Sequence, residues 1–362
     1  MAFDVSYSRT ERAVHKLAFA RPSVQLAAAD IENTAFKRSF AGANAARPVL
    51  VTSLARAGTT MVLEILARMP ELASQIYRDM PFVLAPVLWS KLSGPFQKQS
   101  GRRERAHGDG VQIGFDSPES FEEVFWKAFW PDHYGAEGIR LWDAGSRNAE
   151  ATEFFANMRR KVVALRRPGT MGQARYVSKN NANIARLPLL AAMCPDAHVL
   201  IILRDPFEHA ASLHRQHVNF ADLIAQDTFV QRYMADIGHF EFGPLHRPFQ
   251  FDGLAELTDG RTPADINYWL AYWIAAFETV AAQRRDGVHI LPYEALCETG
   301  AAALAPYCTA IGIGTDPLEA AMGEVRPVSW KADRAGFEPG LAARAAALHH
   351  DLSAAVLPPL SP

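Results

Sequence analysis

The sequence predicts an α/β fold, with a central parallel sheet and helices packed on both of its faces. Two observations lead there. Short apolar runs recur at Val49–Thr52, Arg175–Lys179, His198–Leu203 and Val288–Tyr293, each followed by a stretch with helical spacing. Strands alternating with helices in this way build parallel sheets. The run His198-Val-Leu-Ile-Ile-Leu203 is also apolar throughout, as a strand covered on both faces must be.

Taken in order, Arg9–Phe19 and Val24–Phe40 have helical character and precede a small-residue linker, Ala41–Ala46. Val49–Thr52 is the first strand. From Thr60 the period changes, and Met61, Ile65, Leu66 and Met69 fall on one helical face before Pro70 stops the helix. Gln75–Phe82 reads as extended and Val83–Leu92 as a helix. Residues 93–118 are polar and glycine-containing and carry the cations Lys98, Arg102, Arg103 and Arg105, the composition of a surface loop or lid. Helices follow at Phe121–Phe129, Ala151–Leu165 and Asn183–Met193, with 131–150 irregular. Pro206 opens a helix to about Asn219, residues 221–261 are mixed, and Thr262–Arg285 is a long amphipathic helix. Its Trp269, Trp273 and Phe277 recur every four residues, the spacing of core packing. Glu294–Ile311 and most of 316–357 complete the helices, with a break around Arg326–Pro339.

Composition excludes several classes. The chain has 362 residues, 49% hydrophobic and 21% charged, which supports a sizeable core. A net charge of −2 lacks the basic field of a nucleic-acid binder. Cys194, Cys297 and Cys308 are scattered and form no CxxC pair, which argues against a disulfide framework or thiolate metal site. No signal sequence or membrane-length apolar run is read, so a cytoplasmic protein is expected, with peripheral membrane contact and a homodimer left open.

Two stretches carry chemistry. In Ser53-Leu-Ala-Arg-Ala-Gly-Thr-Thr60, a strand leads through small residues into a helix, a geometry suited to an anion. Set against the phosphate-loop pattern G-x-x-x-x-G-K-[ST], Ser53 stands at the first glycine, Gly58 at the second, Thr59 at the lysine and Thr60 at the hydroxyl. The lysine that reaches the β- and γ-phosphates is missing, and the cation is Arg56 inside the loop. In the second stretch the strand His198–Leu203 delivers Arg204 to its carboxyl end, where ligands bind in open α/β sheets. Ser212 lies eight residues on and shares its face. Arginine suits a bidentate grip on phosphate, although a helix-capping ion pair would also explain it.

Together these stretches resemble the two nucleotide-binding motifs of the sulfotransferases that use 3′-phosphoadenosine 5′-phosphosulfate (PAPS). The likeness is to the bacterial, carbohydrate and tyrosylprotein branch rather than to the cytosolic branch with lysine in the loop. It implies a nucleoside-kinase-like three-layer P-loop fold over 48–335, with a helical extension 1–47, a helical tail 336–362 and acceptor-binding insertions near 70–150 and 220–260. It implies a 5′-phosphosulfate site at Arg56, Ala57, Gly58, Thr59 and Thr60, and a 3′-phosphate site at Arg204 and Ser212. Tyr176–Lys179 resembles the strand that carries a lysine toward the sulfuryl group. Tyr293-Glu294 resembles the segment near the adenine, and Val328–Lys331, with Lys331, the segment that closes over the 3′-phosphate.

The expected activity is transfer of a sulfuryl group from PAPS to an acceptor hydroxyl on a carbohydrate, lipid or other small molecule, with no metal required. Arg56 and Lys179 would stabilise the leaving phosphate. The cytosolic branch has its catalytic histidine two residues after the strand lysine; here that position is Asn181, which cannot act as a base. By the other branch Asp79 is the candidate base, unless it caps a helix or pairs with Arg78. His107 beside Asp109 is the rival. His209, His214 and His217 share a helix, but no third ligand with defined spacing accompanies them, so packing or exposure is the reading. The alternatives are a P-loop kinase or NTPase using ATP and Mg²⁺, and a non-catalytic nucleotide-binding module.

Overall fold

The computed structural model describes residues 9–93, 103–104, 112–119, 121–226, 228–323, 331–354 and 356. A five-stranded sheet forms the centre, in the order β2-β5-β1-β6-β7. The strands are β1 (Val49–Thr52), β2 (Leu72–Ala73), β5 (Arg175–Lys179), β6 (His198–Leu203) and β7 (Val288–Pro292), and all neighbours run parallel. Arg103–Glu104 (β3) and Gln112–Ile113 (β4) form a separate antiparallel pair. The fold is therefore the predicted α/β class.

β1 is buried along its whole length and lies between β5 and β6, with Val51 opposite both Lys179 and Leu200. That register brings the ends of three strands to one edge, and the loop 53–58, Lys179 and Arg204 follow from it. One face of the sheet packs against the helix Thr59–Ala67 and the helices Tyr293–Thr299 and Ala301–Ala310. The other face packs on a larger aromatic layer that includes Trp126, Phe155, Trp273 and Phe277. Trp269, Trp273 and Phe277 are buried, as their spacing predicts.

Differences from expectation have local causes. Gln75–Phe82 is not a strand. The edge strand is Leu72–Ala73, and Tyr77–Asp79 turns as a short 3₁₀ helix because the Asp79 carboxylate accepts the Ile76 N–H. The segment 294–311 is two helices broken at Gly300, whose φ of 56° leaves the helical region. Residues 221–261 contain a helix at Thr228–Ile237 that the polar pattern concealed.

The helices before β1, Arg9–Ala18, Pro22–Ala35 and Lys37–Phe40, are fastened to the rest of the protein. Glu32 and Lys161 form a fully buried ion pair at 2.9 Å, joining helix Pro22–Ala35 to helix Ala149–Arg166. Glu32 also accepts the Leu88 N–H at the start of the helix Pro86–Leu92. Burial raises the pKa of Glu32 and lowers that of Lys161, so desolvation outweighs their attraction on both sides. None of the described helices is long and apolar enough to cross a membrane.

Candidate active site

The loop after β1 is held in a strained shape by its neighbours. Arg56 has φ 68° and Gly58 φ 92°, both in the left-handed region. Gly58 is required twice over, because a Cβ there would lie 2.4 Å from the ring of Tyr293. The Ser53 hydroxyl donates to the Ile202 carbonyl at 2.7 Å, tying the loop to β6. Arg204 Nη1 donates to the Arg56 carbonyl at 2.8 Å, and its guanidinium carbon lies 5.1 Å from the centre of the Tyr293 ring. Arg56, Ala57, Gly58, Thr59, Arg204 and Tyr293 are thus brought together. Thr60 stands in the first turn of the helix that begins at Thr59.

A fully buried histidine braces this loop from beneath. His209 Nε2 donates to the Ala55 carbonyl at 2.7 Å. Burial, with Arg204 and Arg56 nearby, pushes its pKa down to about 3, so it stays a neutral donor. His209 is therefore a strut, and His214 and His217 are bound to the backbone at Ala264 and Gly243.

At the end of β6, the Asp205 carboxylate accepts the N–H groups of Phe207 and Glu208 and caps the helix Pro206–Gln226. Glu294 accepts the Asp205 N–H at 2.9 Å, which gives the residue after Tyr293 a structural task. Glu208 lies 3.7 Å from Arg204 and accepts the Ala332 N–H. That bond and the Arg334–Asp205 ion pair lay residues 331–334 against the start of this helix. Lys331 in that segment is exposed, and Ser212 is buried in the second turn of the helix. Nε of Arg204 is buried without a hydrogen-bond partner among the described residues, a donor that an anion would satisfy.

Lys179 ends β5 with its ammonium 3.7 Å from Glu119. It lines a cavity of about 40 Å³ that also touches Leu54 and Ala55 of the loop. A hydrogen-bonded chain connects the loop to this cavity. The Thr59 hydroxyl donates to Asn181 Oδ1 at 3.1 Å, Asn181 Nδ2 donates to Glu241 Oε1 at 3.4 Å, and Glu241 Oε2 meets His239 Nδ1 at 3.3 Å. His239, Glu241, Lys179 and Asn181 all line the cavity, whose wall is otherwise largely apolar, with Phe240, Trp269 and Tyr272. Burial alone would raise the pKa of Glu241, but His239 and Lys179 outweigh it and bring it to about 2. An ionised Glu241 only accepts, so His239 presents its Nδ1–H to it. Gly238 completes this corner, because with φ 84° a Cβ would lie 2.4 Å from Glu123 Cγ.

Asp79 is placed elsewhere. It is 3% exposed, ion-paired to Arg166 and bonded to the Ile76 N–H, and it is not among the residues lining the cavity. The expected partner Arg78 is instead bidentate with Asp116. His107 and Asp109, and most of the 93–118 segment, lie outside the described residues. His239 and Glu241 escaped the sequence reading. Their signal was a His-x-Glu spacing, which in extended backbone puts both side chains on one side.

A family model described as the sulfotransferase family matches residues 48–241, more than half of the chain. Among solved structures, a sulfotransferase from Mycobacterium tuberculosis H37Rv is similar at 15% identity, covering 95% of this chain and 88% of its own, with a TM-score of 0.49. One from Mycobacterium avium has 11% identity, coverages of 97% and 87% and a TM-score of 0.49. One from Alicyclobacillus acidocaldarius has 15% identity, coverages of 85% and 96% and a TM-score of 0.40. No curated protein matches the chain.

Proposed function

Because the chain belongs to the sulfotransferase family, we propose that it moves a sulfuryl group from PAPS to an acceptor hydroxyl, and that His239 takes the acceptor proton. The observation that carries this reading is the continuous path from the loop at Thr59 to an imidazole at the cavity, with Lys179 beside it. A base needs to stand where the acceptor oxygen meets the donor, and geometry comes before pKa in choosing it.

PAPS supplies the group: its sulfur–oxygen bridge breaks, a bond from sulfur to the acceptor oxygen forms, and adenosine 3′,5′-bisphosphate leaves. The residues of the chain do the rest. The N–H groups at Gly58, Thr59 and Thr60 open a helix and suit the 5′ phosphate. Arg56 and Lys179 are the cations for charge that develops on the leaving oxygen. The buried Nε of Arg204 and the hydroxyl of Ser212 are assigned the 3′-phosphate, Tyr293 the adenine side, and Lys331 the closing segment. His239 Nε2 accepts the hydroxyl proton while Glu241 holds Nδ1–H and stabilises the imidazolium that results. The cavity holds only a few water molecules, so the hydroxyl-bearing tip of the acceptor enters and its body stays outside. Asp79 supports the Tyr77–Asp79 turn in this reading.

The test uses stability and transfer together. Adenosine 3′,5′-bisphosphate is expected to raise the melting temperature, and label from PAPS to pass to one of a panel of hydroxyl acceptors without added metal. Arg204→Ala is expected to weaken the 3′,5′-bisphosphate at least about tenfold while leaving adenosine 5′-phosphosulfate nearly unchanged. Stabilisation by ATP and Mg²⁺ but not by the bisphosphate would establish the kinase alternative. Binding of PAPS with no transfer to any acceptor would favour the non-catalytic module.

A further inference from the structure

A second concave site lies away from the loop. It is a cleft of about 600 Å³, and its lining includes none of Ser53–Thr60, Lys179 or Arg204. It runs between the C-terminal half of the helix Thr59–Ala67, the residues after β2 and the segment 114–118. That volume suits a small organic ligand.

Its lining is cationic. Arg68, Arg78, Arg166 and Arg167 face it, against the carboxylates of Glu64 and Asp116. Arg78 is bidentate with Asp116 at the rim, and Arg166 pairs with Asp79. Arg68 and Arg167 are held differently. Arg68 Nη1 donates to the Ala321 carbonyl at 2.8 Å, and Arg167 donates to the carbonyls of Ala67, Met69 and Pro70. Carbonyl oxygens fix a guanidinium in place without cancelling its charge. Both arginines are thus set in position with a net positive charge on the cleft.

Two further atoms point to a ligand. Ser74 is 4% exposed and lines the cleft, yet its hydroxyl has no hydrogen-bond partner among the described residues. Nε of Arg166 is likewise buried without one. A buried unsatisfied hydroxyl is destabilising, and a ligand oxygen would relieve it. A hydroxyl donor lining the same cleft as fixed guanidinium groups is a set that can hold a tetrahedral oxyanion. We propose that this cleft binds a phosphorylated or sulfated organic molecule, at a site separate from the donor loop. Its size favours the organic anion over inorganic phosphate, which would fill only a corner of it.

The test is a thermal-stability titration of the full chain with glucose bisphosphate, run beside inorganic phosphate and glucose. Glucose bisphosphate is expected to stabilise the wild type and Arg204→Ala alike. Arg68→Gln and Ser74→Ala are expected to raise its apparent Kd about tenfold or more, the loss of one bond to a charged group. Ser74→Ala removes a hydroxyl that bonds nothing, so it should leave the unliganded melting temperature unchanged or slightly higher, and it keeps the test valid if Arg68→Gln folds poorly. No stabilisation of the wild type overturns the proposal. So does binding that survives both substitutions, or binding lost in Arg204→Ala, which would place the ligand at the donor loop. Equal affinity for inorganic phosphate would mean that the cleft takes the free ion, and the organic assignment would fall. None of these outcomes depends on sulfuryl transfer, so the two proposals fail separately.

Discussion

His239→Gln is expected to lower turnover of labelled PAPS by about a hundredfold to ten-thousandfold, the usual worth of a positioned general base. That is about 3–5 kcal/mol of transition-state stabilisation. Binding of adenosine 3′,5′-bisphosphate should not change, because His239 is linked to the loop at one remove, through Glu241 and Asn181. Glu241→Gln acts through the imidazole and should show a smaller loss. Its amide does not impose a tautomer on His239 as an ionised carboxylate does. Asp79→Asn should keep most of the wild-type turnover, since Asp79 is committed to Arg166. If His239→Gln turned over at the wild-type rate while Asp79→Asn did not, the base would be Asp79.

Arg186→Leu is expected to destabilise the protein by about 3–5 kcal/mol, measured by urea unfolding, because it strands a buried charge. Arg186 is fully buried and makes two bonds of 2.9 Å to Glu123, one from each terminal nitrogen. Its guanidinium carbon lies 4.4 Å from the ring centre of Trp126 and 4.2 Å from that of Trp142. Glu123 also accepts from Tyr134 and from Asn180, and it lines the cavity beside Lys179. The pH dependence separates lost charge from lost packing. In the wild type, burial raises the Glu123 pKa, but Arg186 outweighs it and the net shift is downward. That carboxylate therefore stabilises the fold above its unfolded pKa of about 4.3, and the contribution is lost as pH falls through the folded value. Without Arg186, burial is opposed only by the bonds from Tyr134 and Asn180 among the described residues, the folded pKa is expected to rise above the unfolded one, and the slope to reverse. The deficit of Arg186→Leu should then shrink as pH is lowered toward about 4. A deficit independent of pH would show that packing between the two indoles, and not the charge, was lost.

The sequence made the loop after β1 and Arg204 legible and the cavity at Lys179 much less so, for a physical reason. A strand followed by small residues, a glycine and hydroxyls is a local pattern, and it places Arg56, Gly58 and Thr59 without help from distant residues. Arg204 is read in the same way, from an apolar strand and the proline after it. The four main strands were found because strands covered on both faces are apolar without interruption. β2 was missed because a two-residue edge strand has no period to detect. That cavity is assembled from separate places. Asn181 follows β5, His239 and Glu241 follow a helix hidden in a polar stretch, and Trp269 comes from a third element. Asp79 was plausible by analogy, but its engagement with Arg166 depends on where a helix 87 residues further on happens to end. The histidine strut at His209 was equally invisible, since no local pattern distinguishes a donor to a loop carbonyl from a packed ring.

The buried contact between Glu32 and Lys161 constrains how this chain can drift over time. Losing either charge alone leaves the other enclosed in apolar surroundings, and the first step in either direction is costly. Losing both for residues of similar volume can cost little. The two positions, one ahead of the first strand and one deep in the domain, are therefore expected to change together across descendants of this sequence. Helix Pro22–Ala35 would then be inherited with the helices it packs against, rather than traded for the leading segment of another protein.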